Sequence, residues 1–351
     1  MADESTQPET IAEPVHVVGV EELTALATDV MTRIGCDPDI AAEIAEHLVG
    51  ADLRGVPSHG TMRLTQYARM AETGYLDADA RPSAARNAAG RIVVDGNGGF
   101  GHPAVALGMS LGIEECRDAG MSVVAVQNCG HTGRMGTYSE TAAEAGMFSI
   151  ICGGGRRQRW RQVAPHGGID PKLPTNPYSF GFPAGEGGPV IVDFATGMVS
   201  GGKVMNAQVR GVQLDGEYLL TADGTPSADP GAYLDGGAIR PFAGARGYGM
   251  GLMAEIVATA LMGTATVEAN WLIMLVNTAC YRAPDVVVAA VEKILDDVCS
   301  TRPAPGFDRV EIPGQREHAL AQQRRRDGIP IPVPVWTSLM ELDERLPSER
   351  A

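Results

Sequence analysis

The sequence predicts an α/β fold, and three observations carry this prediction. Apolar, β-branched segments at residues 121–128 and 148–152 alternate with helical segments at residues 103–118 and 135–145. Each apolar segment ends in a glycine-rich loop, which is typical of a buried strand that leads into another element. The 351 residues are also long enough for two domains, or for one large α/β domain with an appendage.

The other elements follow from the same signals. Between residues 38 and 53, apolar residues recur at helical spacing, and Pro38 suits the first turn of that helix. Gly120 is the stop signal of the helix that starts at residue 103. In order, helices are predicted at residues 20–34, 38–53, 61–70, 103–118, 135–145, 248–262, 284–298, 318–326 and 338–346, and strands at residues 91–95, 121–128, 148–152 and 189–194.

Composition and charge exclude several classes of partner. The net charge is −15, so we expect no general attraction to nucleic acid or to an anionic membrane. No uninterrupted apolar run reaches membrane-spanning length; the richest, residues 250–262, contains Glu255 and is typical of a buried helix. The six cysteines are scattered, without a Cys-x-x-Cys pair, which predicts free thiols in a reducing cytoplasm.

The turn at residues 54–63 carries the first candidate site. Glycine and proline mark a loop there, and a helix is predicted from residue 61. If the helix starts at the turn, His59 and Arg63 lie one turn apart on the same side. A histidine that exchanges a proton near neutral pH would then adjoin a guanidinium that grips a carboxylate with two hydrogen bonds. The alternative is a helix start capped by Ser58, with the histidine and the arginine facing solvent.

The segment Gly130–Gly133 carries a second candidate site, because a predicted strand gives way to a helix there. Ligands gather at such positions in open α/β sheets, and the free N–H groups of a helix start receive phosphate or carboxylate. His131 would contact a substrate or a cofactor ring; the alternative is a hydrogen-bonded histidine in a tight turn. No Gly-x-Gly-x-x-Gly fingerprint follows any predicted strand, so a standard Rossmann site is not supported.

Four arginines surround a tryptophan in the segment Gly155-Arg156-Arg157-Gln158-Arg159-Trp160-Arg161 of this otherwise acidic chain. Such a cluster binds a phosphate, a polyanionic cofactor or a second substrate carboxylate, or it is a solvated loop. The seven histidines show no metal-ligand spacing, so no metal is predicted. No Gly-x-Ser-x-Gly elbow is present, which argues against a serine hydrolase.

Taken together, these residues resemble the type-2 malate/L-lactate dehydrogenase family over nearly the whole chain. That family includes ureidoglycolate and sulfolactate dehydrogenases, diketogulonate reductase and Δ1-piperideine-2-carboxylate reductases. The order and spacing of several short motifs carry the resemblance. They are Asp52-Leu53-Arg54-Gly55, Ser58-His59-Gly60, Arg63-Leu64 with Tyr67, Asn128 to Gly133, Lys172-Leu173-Pro174-Thr175-Asn176-Pro177, Asp193-Phe194-Ala195-Thr196, Gly202-Lys203, Gly247-Tyr248-Gly249 and Pro313-Gly314.

The resemblance implies a homodimeric α/β enzyme with a non-Rossmann nicotinamide-binding fold of the malate/L-lactate dehydrogenase type. It implies a cofactor-binding domain at residues 91–264 and a second domain built from N- and C-terminal segments, residues 1–90 plus 265–351. The implied reaction is NAD(P)-dependent transfer of a hydride to or from a small 2-oxo or 2-hydroxy acid or a cyclic imino acid. A biosynthetic intermediate is one candidate substrate.

By the same resemblance, Ser58 is a proton relay, His59 the proton donor and Arg63 the clamp for the substrate carboxylate. Thr175 and His131 would also contact the substrate. In the reductive direction, His59 is expected to act as an imidazolium. The implied cofactor contacts are His131, Thr132, Gly133, Arg134, Met135, Asp193, Phe194, Ala195, Lys203, Arg246, Pro313 and Gly314.

The chain departs from the family pattern around the expected cofactor wall. Arg134 is bulky and charged beside the expected dinucleotide, Arg246 stands where a lysine is usual, and the arginine cluster is not a family feature. These arginines favour NADP over NAD, because arginine recognises phosphate well. Two alternatives remain open. One is a divergent member that has lost hydride transfer and binds or transforms a carboxylate ligand by other chemistry. The other is a small-acid binding module that uses only Arg63 and the arginine cluster.

Overall fold

The computed structural model describes residues 14–347. The helices are α1 (Val20–Arg33), α2 (Pro38–Leu53), α3 (Leu64–Glu72), α4 (Gly101–Ala119), α5 (Met135–Glu144), α6 (Gly201–Arg210), α7 (Pro230–Leu234), α8 (Ala245–Ile256), α9 (Pro284–Cys299), α10 (Gln315–Asp327) and α11 (Val333–Arg345). The strands are β1 (Val15–Val18), β2 (Ser83–Arg86), β3 (Ile92–Asp95), β4 (Met121–Cys129), β5 (Met147–Gly154), β6 (Tyr178–Phe182), β7 (Val190–Phe194), β8 (Leu219–Leu220), β9 (Pro226–Ser227), β10 (Ala238–Ile239), β11 (Ala269–Asn277) and β12 (Ile329–Pro332). Every helix and strand predicted above overlaps an element of its own kind.

Seven strands form one mixed sheet in the order β2-β3-β4-β11-β5-β6-β7. β3 and β4 run parallel, whereas every other neighbouring pair in this sheet is antiparallel. β11 lies between β4 and β5, with Ile273 opposite Val124 on one side and opposite Ile151 on the other. The α/β class is thus confirmed, although successive strands β4 and β5 are not neighbours in the sheet.

β11 is a central strand that the sequence analysis did not predict. Its segment Trp271–Val276 is as apolar as the predicted strands, but its partners lie far away in the chain. With β2, it places residues on both sides of the expected range 91–264 in the same sheet. β2 and β11 therefore belong to the large sheet although they lie outside residues 91–264. For the remaining segments, the division into a cofactor-binding domain at residues 91–264 and a second domain at residues 1–90 plus 265–351 stays a prediction.

α4 packs closely on the sheet because two of its glycines face the strands. A Cβ on Gly108 would lie 2.8 Å from Val126, and one on Gly112 would lie 3.1 Å from Val124. Together with α5, α4 covers a core whose members include buried residues of β3, β4, β5 and β11. This packing fixes where the loop between β4 and α5 leaves the sheet.

The two ends of the described chain meet. β1 pairs antiparallel with β12, with Val18 opposite Ile329. Leu339 and Leu342 of α11 share one buried core with residues of α1, α2 and α3, among them Tyr67. The N- and C-terminal segments therefore form a common body, and Tyr67 links its core to the site described below.

A smaller sheet in the order β10-β8-β9 packs with α6 and α7. Its core includes Val163, Val204 and Leu219, all of them buried. The six cysteines are free, and Cys280 and Cys299 are the exposed ones. Between residues 14 and 347, none of the helices combines the length and the apolarity needed to cross a membrane.

Candidate active site

The candidate site lies at one edge of the large sheet, where three loops meet. β4 ends at Cys129 and leads into the His131 loop, and β5 ends at Gly154 and leads into the arginine cluster. β11 starts at this edge, because Ala269 lies opposite Cys129 and Asn270 opposite Gly154. The antiparallel insertion of β11 therefore brings residues 130–134, 155–161 and 265–268 together.

The turn that carries His59 and Arg63 differs from the helix start that we predicted. Residues 57–59 and 61–63 form two separate 3-10 turns, and α3 begins only at Leu64. Gly60 between them is extended, with φ −93° and ψ −161°. The two side chains are thus not one α-helical turn apart, and the expected shared helix face is wrong.

Asp52 explains this interruption. Its carboxylate accepts hydrogen bonds from the Thr61 N–H at 2.8 Å and from the Thr61 hydroxyl at 2.6 Å. It also packs against Gly60 so closely that a Cβ there would lie 1.9 Å from Oδ1. The buried Asp52 side chain of α2 therefore accepts the hydrogen bond from the Thr61 N–H, and this keeps the two 3-10 turns separate.

Arg63 folds back over this turn. Its Nε donates to the carbonyl oxygen of Ser58 at 2.6 Å, and its Nη1 donates to Oε1 of Gln66 at 2.5 Å. Among the described residues, no carboxylate lies within 4.0 Å of the Arg63 guanidinium. Ser58 itself is exposed, and Arg63 is half-buried. The guanidinium is therefore positioned by neutral groups and keeps its charge for a ligand.

The half-buried ring of His59 stacks on the ring of His131, with centroids 5.4 Å apart and planes inclined by 10°. Burial, together with the positive charges of Arg63 and Arg134, lowers the pKa of His59 to about 4. Nδ1 of His59 is buried and has no hydrogen-bond partner among the described residues. An unsatisfied buried nitrogen of this kind is costly, and it points to a polar ligand or a water at this position.

Tyr67 sets the proton position on His131. The N–H of Gly133 donates to Nδ1 of His131 at 3.3 Å, so this nitrogen is the acceptor and the neutral ring carries its proton on Nε2. The Tyr67 hydroxyl lies 2.6 Å from the same Nδ1 and therefore donates to it. Nε2–H of His131 thus remains available as a hydrogen-bond donor.

A buried aromatic cluster extends from this pair into the protein. The Tyr67 hydroxyl lies 3.4 Å from Nε2 of His102, and the rings of His102 and His47 are 4.8 Å apart. Burial lowers the pKa of His102 to about 3 and lowers the pKa of His47 and His131 well below the usual range. These imidazoles are therefore neutral at pH 7. The sequence analysis did not single out His47 or His102, because only folding brings them to Tyr67.

Glu268 is a further residue that the sequence analysis missed. It precedes β11, and its N–H donates to the carbonyl oxygen of Cys129 at 3.1 Å. Burial raises the pKa of its carboxyl to about 7, while the charges of Arg63, Arg159 and Arg156 act to lower it. This carboxyl and three guanidinium groups therefore share one environment at the edge of the sheet.

Four of the expected cofactor contacts line one cavity of about 240 Å³. They are Arg134, Asp193, Pro313 and Gly314. Arg134 is only 4% exposed, and its Nη1 lies 2.8 Å from Oε1 of Glu140, which also pairs with Arg54. Oδ2 of Asp193 accepts the Gly136 N–H at 2.6 Å, at the start of α5. Arg134 is thus part of an internal ion-pair network.

Phe194 and Ala195 line a neighbouring cavity of about 470 Å³, together with Met198, Ser200 and Phe242. Lys203 lies two residues inside α6, where its Nζ is 3.1 Å from Oδ1 of Asp215.

The other expected contacts lie in different surroundings. Arg246 is exposed in the first turn of α8. Thr132 and Met135 are buried, and Thr132 Oγ1 donates to the sulfur of Met135 at 3.4 Å. The carbonyl oxygen of Thr175 accepts two hydrogen bonds from Thr196. The structure thus joins four expected cofactor residues in one cavity and two in the next, but it does not bring Lys203 or Arg246 to them by a direct contact.

These two cavities are the candidate spaces for the nicotinamide cofactor that the sequence analysis expects. Asp193 lines the smaller cavity, which also contains the charged side chains of Arg134 and Glu317, and its neighbour Phe194 lines the larger one, so the two spaces follow one stretch of β7. The aromatic rings of Phe194 and Phe242 pack edge to face at 5.4 Å and give the larger space an apolar wall. An extended ligand with both polar and flat apolar parts matches this pair of spaces.

Comparison with known proteins shows the family of this chain. The sequence model described as malate/L-lactate dehydrogenase matches residues 18–340. An L-lactate dehydrogenase from Cupriavidus necator is 33% identical over 334 residues, which cover 92% of this chain and 95% of that protein. A Delta(1)-pyrroline-2-carboxylate/Delta(1)-piperideine-2-carboxylate reductase from Pseudomonas putida is 35% identical over 242 residues, 69% of this chain and 70% of that protein. The crystal structure of malate dehydrogenase from Entamoeba histolytica superposes with a TM-score of 0.88 at 27% identity, covering 94% of this chain and 98% of that one.

The fold and the matches together define the class of protein: an oxidoreductase that acts on small hydroxy, oxo or imino acids with a nicotinamide cofactor. The chain belongs to the malate/L-lactate dehydrogenase family.

Proposed function

We propose that His59 exchanges the proton and Arg63 holds the substrate carboxylate while a hydride passes between a nicotinamide and the α-carbon of the acid. One observation carries this proposal. Arg63 has no acidic partner within 4.0 Å among the described residues, and it lies close enough to His59 to lower the pKa of that imidazole. If the substrate carboxylate binds at Arg63, the hydroxyl or oxo group on the neighbouring α-carbon would therefore lie beside the unpaired Nδ1 of His59.

The protonation state of His59 differs from the imidazolium expected from the sequence. With a pKa of about 4, the ring is neutral at pH 7 before ligand binds. A neutral imidazole is ready to accept the hydroxyl proton of a 2-hydroxy acid. An anionic substrate at Arg63 compensates a nearby positive charge, so it raises the pKa of His59 and favours the protonated ring that the reductive direction needs.

The remaining residues act as positioning groups in this proposal. Tyr67 and Gly133 fix the tautomer of His131, whose Nε2–H is placed to donate to a substrate oxygen. Exposed Ser58 is proposed to relay the proton between His59 and solvent. Thr175 is proposed to contact the substrate from the loop before β6.

A nicotinamide cofactor, when bound, supplies or accepts the hydride. Phe194, Ala195 and Phe242 are proposed to hold it on the apolar side, and Arg134, Asp193 and the Pro313–Gly314 turn on the polar side. Thr132, Gly133, Met135 and Lys203 remain proposed contacts. Of the arginines that favoured NADP, Arg134 is paired with Glu140, so the preference for NADP rests on exposed Arg246 and on the arginine cluster at residues 156–161. A cytoplasmic homodimer stays part of the proposal.

The test compares two variants with the wild-type chain. H59Q should lower kcat by about a hundredfold or more, because a positioned acid–base group contributes that much, while cofactor binding persists. R63K keeps a positive charge but loses the planar fork, so it should raise KM by about tenfold. Reduction of 2-oxo acids and cyclic imino acids with NADH and with NADPH is followed by absorbance, and cofactor binding by nicotinamide fluorescence.

Three results would contradict the proposal. The first is that neither dinucleotide is bound or oxidised. The second is that H59Q retains the wild-type kcat. The third is that R63K leaves KM unchanged, which would show that Arg63 does not hold the carboxylate. A binding module without redox chemistry predicts the first result, so the same assay separates it from the enzyme.

A further inference from the structure

A cleft of about 790 Å³ lies between α2, α4 and α5, and none of the proposed substrate or cofactor residues lines it. α2 contributes Glu43 and His47 to its wall, α4 contributes His102 and Met109, and α5 contributes Thr137. The two histidines belong to the buried aromatic cluster that reaches the candidate active site. The cleft is therefore a second space, which adjoins the other end of this cluster.

His102 brings an unpaired acceptor to the cleft. The ring is 1% exposed, and its Nδ1 has no hydrogen-bond partner among the described residues. The Tyr67 hydroxyl donates to His131, so its oxygen accepts from Nε2–H of His102, 3.4 Å away. Burial lowers the pKa of His102 to about 3, so the ring is neutral at pH 7 and Nδ1 keeps a free lone pair. A buried acceptor of this kind requires a donor from a ligand or a water.

His47 brings an unpaired donor to the same place. The ring is 8% exposed, and its Nε2 accepts the N–H of Arg134 at 2.9 Å. The proton of the neutral ring is therefore on Nδ1, and this N–H has no hydrogen-bond partner within residues 14–347. Because the rings of His47 and His102 are 4.8 Å apart, one small polar group can meet both.

The cleft also contains carboxylates without a counter-charge. Glu43 lies four residues before His47 on α2, so their Cβ atoms are about 6 Å apart. Glu43 is half-buried, and burial together with the charges of Glu46 and Asp39 raises the pKa of its carboxyl. Glu46 lines the cleft as well, and in the described part of the chain neither it nor Glu43 has a basic side chain within 4.0 Å. Such a pair favours a bound cation.

The remaining walls define the shape of a ligand. Oγ1 of Thr137 is buried and has no partner among the residues that the structure describes, so it is a further acceptor beside the histidines. Ala106 and Met109 continue the wall along α4 from His102 with apolar side chains. Three acceptors match the three N–H bonds of an ammonium group, and the N–H of His47 matches a carboxylate.

We propose that this cleft binds an α-amino acid with an apolar side chain. Its ammonium group lies at Glu43 and Nδ1 of His102, its carboxylate accepts from Nδ1–H of His47, and its side chain lies along Ala106 and Met109. This inference goes beyond the proposed function, because it assigns a ligand to a cavity that takes no part in the reaction.

Equilibrium dialysis of the whole chain with labelled L-leucine tests the ligand class. Two competitors each lack one charged group: 3-methylbutylamine has no carboxylate, and 4-methylpentanoate has no ammonium group. We expect leucine to bind and each competitor to need at least about a tenfold higher concentration than unlabelled leucine for half-displacement, since each loses charge-assisted hydrogen bonds. No binding up to about 10 mM leucine would overturn the proposal, and so would equal competition by 4-methylpentanoate.

Variants locate the ligand within the cleft. E43Q removes a charge with little change of shape and should raise the Kd of leucine by about tenfold or more. T137V removes one neutral acceptor and should raise the Kd by about threefold. E114Q is the matched control, because it removes an exposed carboxylate of α4 that does not line the cleft, and it should leave the Kd within about twofold. Equal effects of E43Q and E114Q would show general attraction of a cation by an acidic chain and would contradict the site.

A further comparison separates the cleft from the candidate active site. Leucine in the cleft should bind R63K as it binds the wild type, and saturating NADPH or NADH should not displace it. Loss of leucine binding in R63K would place the amino acid at the proposed carboxylate clamp and overturn the inference. Dialysis needs no turnover, so a failure of the proposed reaction leaves this result unchanged, and the reverse also holds.

Discussion

His59 is a half-buried imidazole whose charge depends on the groups beside it. Its pKa of about 4 is set first by burial and then by two arginines, one of which is the proposed substrate clamp. In the proposed mechanism, the same guanidinium would bind the acid and would also lower the pKa of the proton-transfer group. A substrate that neutralises Arg63 would fill the carboxylate clamp and raise the pKa of His59 at the same time. Substrate binding would then be coupled to the acid–base step.

This coupling predicts an unusual pH profile for oxidation of a 2-hydroxy acid. Because kcat/KM reports the free enzyme, it should stay level from pH 8 to near pH 5 and fall only as the pH approaches about 4, where His59 becomes protonated. The profile is measured from initial rates at constant ionic strength. An acidic limb centred near pH 6.5 would show instead that the imidazole is solvated.

Sequence reasoning found some of these residues and missed others for a physical reason. Ser58, His59 and Arg63 occupy one short segment, so motif spacing was enough to group them. His47, His102 and Glu268 come from separate segments of the chain, and only the folded arrangement of α2, α4 and β11 brings them to the site.

At the scale of elements, the turn between α2 and α3 is held in place by hydrogen bonds to the buried side chain of Asp52. Asp52 is 2% exposed, and burial raises the pKa of its carboxyl to about 6, against the hydrogen bonds from Thr61 that lower it. The turn is therefore a product of one buried carboxyl group, not of the local helix propensity that the sequence analysis used. This is why the predicted helix start was wrong.

D52N should disturb the turn, so we expect kcat to fall by about tenfold through loss of a charge-assisted hydrogen bond. The stability effect depends on pH. A carboxyl whose folded pKa is raised stabilises the protein most at low pH, and this contribution is lost as the pH rises from 3.8 through 6. D52N should therefore be more destabilised relative to wild type at pH 4.5 than at pH 7, by roughly 1–2 kcal/mol.

Urea unfolding at both pH values measures this difference. T61V is the matched control, since it removes one hydrogen bond to Asp52 and keeps the titrating group. The free energy of unfolding of T61V, compared with that of D52N, should show the same pH dependence as that of the wild type does. A D52N variant with the same stability deficit at both pH values would refute the assignment of the raised pKa.

At the scale of the whole molecule, the site lies between two bodies with separate cores. His47 belongs to α2 in the terminal segments, whereas His102 belongs to α4 on the large sheet, and their rings touch across the boundary. Neutral imidazoles can share this buried place, but protonated ones cannot without a large desolvation cost. Protonation at this junction therefore opposes the folded state of the entire chain.

H102Q tests this link between one buried ring and overall stability. A histidine whose folded pKa is lowered contributes stability that is present above pH 6.5 and is lost as the pH falls towards the folded value of about 3. Relative to H102Q, the wild type should lose roughly 2 kcal/mol between pH 7 and pH 5. Denaturant unfolding gives the two curves, with H16Q as the control for loss of a histidine outside this cluster. Parallel curves for the wild type and H102Q would be inconsistent with a neutral His102.

The global fold class was predictable because alternating apolar and amphipathic segments are local signals. The place of β11 was not, since the pairing partners of a strand depend on contacts across the chain. The arginine cluster shows the same limit: its sequence left an anion site and a solvated loop both open, and only the order of strands places it where β4, β5 and β11 meet.

The position of β11 also sets when this protein can fold during synthesis. β4 and β5 are made early, yet the strand that joins them follows β4 by some 140 residues. A nascent chain that has left the ribosome only as far as α8 carries two apolar strands with unpaired edges, which favour association with other chains. Closure of the sheet waits for nearly the last quarter of translation, so the emerging chain needs protection of these edges until then.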